Sequence, residues 1–195
     1  MRYTKEHRAQ AKAAIVQEAG RTLKESGFHG VGVDGLAASA QVTSGALYSN
    51  FANKEAVLEE VVATQLGIEF ASLADQEPAV RRRMLGDVLR IYLSDLHREN
   101  PRDGCVMPSL SADVARAGDS VRETYRGRMV DVIATIAPAM PGDEEEQVQQ
   151  AWTLVASIVG AITIARALPA GDQAQAILDA VLTTALESIP DERRE

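Results

Sequence analysis

One stretch of the chain, Val33 to Glu55, constrains the fold more than any other. Its pattern predicts two short helices, joined by a tight turn and followed by the start of a third. The first helix carries three small or apolar residues on one face: Leu36, Ala37 and Ala40. Leu47 and Phe51, spaced i and i+4, form the buried stripe of the second helix. The rest of the second helix is small or polar, which suits entry into the major groove of DNA. The stretch therefore predicts a helix-turn-helix, and DNA is the first candidate partner.

The residues from Val42 to Phe51, with Lys54 and Glu55 behind them, resemble the signature of the TetR family of transcriptional repressors. The lead-in from Ala19 to Gly30, which ends Lys-Glu-Ser-Gly-Phe-His-Gly, resembles the same family. The resemblance covers about the first quarter of the chain and is specific because these pieces occur together. It implies an all-α fold of about nine helices, with a three-helix DNA-binding domain and a helical domain for ligand binding and dimerisation.

Two residues depart from the pattern of that family. Gln41 stands at a turn position that is usually glycine, and a glutamine held there at positive φ costs about 1 kcal/mol. Gly32 stands where a hydroxyl residue usually caps the second helix of the domain, and a glycine cap costs only a few tenths of a kcal/mol. A packed domain can absorb both costs.

The residues expected to bind DNA are Thr43, Ser44, Gly45, Ala46, Tyr48, Ser49, Asn50 and Lys54. Ser44, Ala46 and Ser49 are placed to meet base edges through hydroxyls and a methyl group. The resemblance implies that Tyr48 donates its hydroxyl to a phosphate, and the alternative is burial of its ring against Phe51. Lys54 is expected to hold a phosphate together with the first amides of its helix.

The charge of the chain is divided unevenly. The net charge is −8, yet residues 1–54 hold 7 Lys and Arg against 4 Asp and Glu, while the remainder holds 13 against 24. A basic module on an acidic body directs one end of the molecule at phosphate. Arg2, Lys5 and Arg8 form either a basic arm that contacts DNA or a solvated tail.

The rest of the chain is expected to be helical, because no alternating run bounded by turn residues indicates a strand. The expected order begins with a helix from about Lys5 to Ser26, followed by the two short helices and a fourth that starts at Lys54, capped by Asn53, and carries Leu66 and Phe70. The buried side of the first helix is expected to consist of Ala9, Ala13, Ile15, Val16, Ala19 and Leu23. Later helices are expected from Pro78 to about Leu96, from Ser109, from Asp119 to about Ile136, from Glu144 to Leu168 and from Asp172 to Ile189.

The last two predicted helices are expected to form a homodimer interface. Each carries an apolar stripe broader than a lone surface helix needs: Val148, Trp152, Val155, Val159 and Ile162 in one, and Ile177, Leu178, Val181, Leu182, Ala185 and Leu186 in the other. Packed against their copies, they would form a four-helix interface on a two-fold axis. The alternative is the ordinary core of a monomer.

A small-molecule effector is expected among the middle helices, where adaptable apolar side chains occur. The residues expected to bind it are Tyr92, Cys105, Met107, Tyr125, Met129 and Trp152. Cys105 raises a second possibility, because a similar Gly-Cys in some TetR-like regulators senses electrophiles or oxidants. A nearby helix N-terminus or Arg102 would favour its thiolate, whereas Asp103 opposes it.

Together these features predict a ligand-responsive dimeric repressor, with residues 1–53 as the helix-turn-helix DNA-binding domain and residues 54–195 as the ligand-binding and dimerisation domain. We expect no catalytic site, metal or cofactor, because no nucleophile with its base, metal-ligand spacing or Gly-rich phosphate loop is present. No signal segment is evident, the apolar run from Leu154 to Ala165 is short for a bilayer, and the single cysteine suits a reducing cytoplasm. The alternatives are a thiol-sensing repressor that uses Cys105 and a helical protein-interaction module without DNA binding.

Overall fold

A computed structural model describes residues 5–189, with side chains from residue 9 onward. Within this range the chain forms ten α-helices and two 3₁₀ helices, with no strand. The all-α prediction is confirmed. The α-helices are α1 (Lys5–Ser26), α2 (Val33–Ser39), α3 (Ser44–Tyr48), α4 (Lys54–Gln65), α5 (Pro78–Tyr92), α6 (Asp95–Glu99), α7 (Val106–Val114), α8 (Asp119–Ile136), α9 (Glu144–Ala167) and α10 (Asp172–Glu187). The 3₁₀ helices are Ile68–Leu73 and Ala137–Ala139.

The helices fall into two compact units that interleave along the sequence. Unit 1 comprises the chain up to Leu66 together with Pro101–Arg128, and unit 2 comprises Gly67–Asn100 together with the chain from Met129 onward. Unit 1 therefore holds α1 to α4, α7 and the first part of α8. Unit 2 holds α5, α6, the last part of α8, α9, α10 and both 3₁₀ helices.

The core of unit 1 forms where α1 packs against α2, α4 and α7. Ile15, Val16, Ala19 and Leu23 of α1 are buried as predicted, whereas Ala9 and Ala13 are exposed. The predicted buried side of α1 was too long by about two turns. Gln65 of α4 donates its amide to the carbonyl of Val16 (3.0 Å), and a Cβ on Gly20 would collide with that same amide. Glycine at residue 20 thus lets α4 approach α1 closely.

In unit 2, α9 packs against α10, α6 and the second 3₁₀ helix, while α5 packs against both 3₁₀ helices and α10. Asp143 and Glu146 form a capping box that starts α9. By length and composition alone α9 could cross a membrane. Seven of its residues are buried within the fold, which accounts for part of its apolar character.

Three helix boundaries differ from the prediction. α4 ends at Gln65, and Gly67 at φ +83° turns the chain into a 3₁₀ helix that carries Phe70. α5 ends at Tyr92, and Ser94 caps a separate short helix, α6, in which Leu96 is 74% exposed rather than part of a buried stripe. α7 begins at Val106, three residues before the predicted Ser109.

Candidate functional site

The candidate DNA-reading element is α2, the turn after it, and α3. Thr43 caps α3 as predicted, because its hydroxyl accepts a hydrogen bond from the amide of Ala46 (3.1 Å). The turn is closed by the amide of Val42, which donates to the carbonyl of Ala37 (2.9 Å). Leu47 is buried behind α3, as is Phe51 immediately after it. The two helices thus present a short outer face on a packed back, as a helix-turn-helix requires.

Both departures from the family pattern have the predicted local structure. Gln41 lies at φ +56°, and no other non-glycine residue in the described range has a positive φ. Gly32 precedes α2 in an extended conformation and supplies no side-chain cap. The turn therefore keeps its geometry with a glutamine in the left-handed region.

The polar side chains of α3 and its C-terminal end that were predicted to bind DNA are held within the module. The hydroxyl of Ser44 donates to Asp34 Oδ1 (2.5 Å), and that of Ser49 donates to the carbonyl of Gly45 (2.8 Å). The amide of Asn50 donates to the carbonyl of Ala46 (2.8 Å). A serine hydroxyl that donates in this way keeps lone pairs that can accept from the amino group of adenine or cytosine. Tyr48 is 53% exposed, so its ring is not buried against Phe51.

Lys54, the predicted phosphate contact, lies half-buried at the first turn of α4. Its ammonium donates to the carbonyl of Phe28 and lies 4.2 Å from the centre of the Phe28 ring. Burial lowers the pKa of Lys54, and the charge of Asp113 acts in the opposite direction. The carbonyl and ring of Phe28 thus hold the ammonium beside the N-terminus of α4, where backbone amides also favour an anion.

The basic side chains of α1 that the structure describes have acidic or backbone partners. Lys12 pairs with Glu60 (2.6 Å), and Arg21 pairs with Glu18 (2.6 Å) and Asp103 (2.8 Å). The ammonium of Lys24 donates to the carbonyl of Gly104 (2.8 Å). The side chains of the predicted basic arm, Arg2, Lys5 and Arg8, lie outside the described residues.

Two acidic residues in this region were not predicted as part of the site. Asp34 orients Ser44, and Asp113 accepts a hydrogen bond from the amide of Phe28 (3.1 Å). Asp34 stands in the first turn of α2, where a carboxylate is expected for helix stability alone. Asp113 is 85 positions from Phe28, and a contact at that separation leaves no local signal in the sequence.

The residues predicted to bind an effector are divided between the two units. In unit 1, Cys105 is fully buried and caps α7, its sulfur accepting from the amide of Met107 (3.4 Å). Ser111 hydrogen-bonds the hydroxyl of Tyr125 (2.6 Å) and donates to the carbonyl of Met107 (2.7 Å). Burial raises the pKa of Tyr125, the bond to Ser111 lowers it, and the nearby Cys105 raises it. Unit 1 thus brings Cys105, Met107 and Tyr125 into one cluster.

In unit 2, the remaining three residues have different surroundings. Tyr92 is buried, with its ring centre 6.1 Å from that of Phe70 and 4.6 Å from that of His97. Met129 is 8% exposed, whereas Trp152 is 43% exposed on α9. The indole of Trp152 is therefore part of the surface of unit 2.

Comparison with known proteins agrees with this geometry. Residues 15–61 match the family model described as bacterial regulatory proteins, tetR family, a span that runs from α1 into α4. No curated protein matches the chain significantly.

Several solved structures share the fold. The reduced form of NemR from E. coli is 20% identical, with a TM-score of 0.70 over 93% of this chain and 97% of that one. A TetR transcriptional regulator from Legionella pneumophila is 14% identical, with a TM-score of 0.74 over 97% and 99%. A TetR transcriptional regulator from Chloroflexus aurantiacus is 20% identical, with a TM-score of 0.69 over 92% and 93%.

The family match lies on the helices that carry the helix-turn-helix, and the shared fold extends over nearly the whole chain. Regulators of this family act by binding DNA and are not enzymes. The match over residues 15–61 and the shared TetR-like fold therefore support a DNA-binding transcriptional regulator similar to the TetR family of bacterial regulatory proteins.

Proposed function

We propose that the protein is a homodimeric transcriptional repressor that binds a palindromic operator and leaves it when a small molecule binds. In this proposal residues 1–53 read DNA, residues 54–195 bind the effector and form the dimer through α9 and α10, and the protein acts in the cytoplasm. The effector lowers operator affinity only if it binds the DNA-free state more tightly, typically by 1–3 kcal/mol.

The observation that carries this proposal is the surface of α9. No residue from Gln147 to Ala165 is charged, although a surface helix normally carries charges on its outer face. Three large apolar side chains of α9 are exposed: Val148 (38%), Trp152 (43%) and Ile164 (54%). An uncharged face with an exposed indole is typical of the centre of a protein interface.

A groove between α9 and α10 adds to this surface. It has a volume of about 240 Å³, and Leu154, Val181 and Ala185 form its apolar wall. Apart from Gln150, its other lining side chains, Ser157 and Thr184 among them, are small. Small residues let a second helix approach closely, which supports α9 and α10 as the place where two copies meet. The predicted stripe of α9 contributes both to the core of the monomer and to the proposed interface. Val155 and Ile162 are buried inside the monomer, whereas Val148 and Trp152 are exposed.

A dimer also meets the needs of the DNA-reading element. α3 has only five residues, and its outer face offers few base contacts. Two copies on a two-fold axis would double those contacts on a palindrome with half-sites about 34 Å apart, or somewhat more.

Selection of bound fragments from genomic DNA, followed by gel shift with non-specific competitor, tests the proposal. We expect an inverted repeat that binds two copies of the protein, with affinity that falls steeply as salt rises. Tyr48→Ala and Lys54→Ala should weaken the complex, whereas Arg83→Ala, which removes an exposed cation of α5, should not. A site without two-fold symmetry, or variants at residues 48 and 54 that bind as tightly as wild type, would contradict the proposal.

A thiol-sensing repressor is a second candidate, and the position of Cys105 favours it. Its sulfur caps α7, and the N-terminus of a helix stabilises a thiolate. Its complete burial opposes ionisation. Release from DNA by a maleimide in wild type but not in Cys105→Ser would support thiol sensing. An apolar ligand that releases both proteins would support the first candidate.

A further inference from the structure

Hydrogen bonds connect both ends of α7 to α1 and the turn that follows it. Just before α7, the carbonyl of Gly104 accepts from the ammonium of Lys24, a side chain only 8% exposed. At its far end, Asp113 Oδ2 accepts from the amide of Phe28, two residues after the end of α1 (3.1 Å). The contact at Asp113 reaches the turn that leads into the helix-turn-helix.

Phe28 links α7 to α4 through a single residue. Its amide donates to Asp113, while its carbonyl accepts from the ammonium of Lys54. The preceding Gly27 lies at φ +73°, and a Cβ added there would be 3.7 Å from Asp113 Oδ2. The turn therefore lies directly against the carboxylate, in a backbone conformation that glycine adopts at little cost.

The charges support the same link. Burial lowers the pKa of Lys54 and the carboxylate of Asp113 raises it, so Asp113 stabilises the ammonium electrostatically. This attraction acts on Lys54 in addition to the two hydrogen bonds that connect Asp113 to Lys54 through Phe28.

We propose that Asp113 is a positioning residue for DNA binding, which holds Phe28 and thereby fixes the place from which Lys54 contacts a phosphate. The inference rests on the proposed function, because it concerns the phosphate contact assigned to Lys54. Asp113 is carried by α7, whose first turn is capped by Cys105. A displacement of α7 would therefore change the position of Lys54 without any movement of α3 within its own domain.

A double-mutant cycle on DNA binding tests this inference. Asp113→Ala, Lys54→Met and the double variant are titrated with the selected operator at several salt concentrations. Lys54→Met should weaken binding and reduce the salt slope by about one. Asp113→Ala should weaken binding several-fold and lower the slope when Lys54 is present, and should add little in the Lys54→Met background.

Two further variants separate positioning from charge and from folding. Asp113→Asn keeps an acceptor for the amide of Phe28 and should recover most of the lost affinity. Asp119→Ala removes an exposed carboxylate of α8 that pairs with Arg122 and should leave the slope unchanged. In the free protein, the amide of Phe28 should exchange its hydrogen faster in Asp113→Ala than in wild type, while the amides of α3 exchange as before.

The outcomes distinguish the inference from the proposed function. Additive losses from Asp113→Ala and Lys54→Met, or an unchanged exchange rate at Phe28, would overturn the inference alone. A wild-type protein that binds no operator would overturn the proposed function, and this inference with it.

Discussion

The hydroxyl of Ser44 donates to the carboxylate of Asp34 at 2.5 Å, which joins α3 to α2 across the helix-turn-helix. Ser44 is one of the residues proposed to read bases, and both side chains of the pair belong to the exposed part of the module. The bond fixes the orientation of the hydroxyl, so that its lone pairs are available to DNA. It also places a negative charge next to the proposed DNA-binding face.

Replacement of Asp34 with Asn should therefore strengthen DNA binding at low salt. The amide oxygen of Asn still accepts from Ser44, while the repulsion between the carboxylate and phosphate is removed. We expect a gain of several-fold at low ionic strength that shrinks as salt rises, because the effect is electrostatic. Asp34→Ala is the matched control, since it removes both the charge and the acceptor. Equal affinity of Asp34→Asn and wild type at low salt would show that residue 34 lies away from the DNA backbone.

Local signals in the sequence identified most of the fold and the DNA-reading element. The helix-turn-helix was predicted because its signals are local. Thr43 caps α3 through an amide three residues later, and Leu47 and Phe51 are spaced one helical turn apart. The start of α4 was predicted for the same reason, since Asn53 caps it through the amide of Ala56 (2.8 Å). The positive φ at Gln41 followed from its place in the turn.

What the sequence did not reveal depends on tertiary packing. The apolar pattern continued to Leu96 and concealed the break before α6, although Ser94 was an available cap signal. The contact between Asp113 and Phe28, and the interleaving of the two units, depend on where distant helices pack. The exposure of Trp152 could not be distinguished from burial, because both follow from the same apolar stripe.

Replacement of Gln41 with Gly should stabilise the protein. Gln41 lies at φ +56°, where a side chain costs about 1 kcal/mol that glycine avoids. Since glycine also gains freedom in the unfolded chain, the net gain should be about 0.5 kcal/mol, which corresponds to a rise of about 1–2 °C in melting temperature. Thermal unfolding followed by circular dichroism measures it. Gln41→Ala is the control and should bring no gain; a lower melting temperature for Gln41→Gly would show that the glutamine side chain stabilises the turn.

Charge placed on the exposed face of α9 should prevent dimerisation. Trp152→Asp puts a carboxylate where the proposed interface is apolar, and burial of an unpaired charge costs several kcal/mol. We expect sedimentation equilibrium to show a monomer with an unchanged helical circular-dichroism spectrum. Ile91→Asp is the matched control, because Ile91 of α5 is 70% exposed and lies outside the proposed interface. If Trp152→Asp remains a dimer while Ile91→Asp dissociates, the interface lies elsewhere.

The stability of the protein should fall at high pH in a way that depends on Tyr125. Burial raises the pKa of Tyr125 in the folded state, so the phenol holds its proton more tightly there than in the unfolded chain. Below the ordinary tyrosine pKa of about 10 both states are protonated, and Tyr125 contributes no pH dependence. As pH rises through and above that value, the unfolded chain loses the proton first, and the free energy of unfolding decreases.

Denaturant unfolding of wild type and Tyr125→Phe between pH 8 and 11 measures this contribution. The phenylalanine variant should lose less stability over that range than wild type, because it has no phenol to ionise. Ser111→Ala should steepen the wild-type decrease, since the hydrogen bond between Ser111 and Tyr125 lowers the pKa of Tyr125 and its removal raises that pKa further. Parallel decreases in all three proteins would show that the Tyr125 hydroxyl is as well solvated in the folded protein as in the unfolded chain.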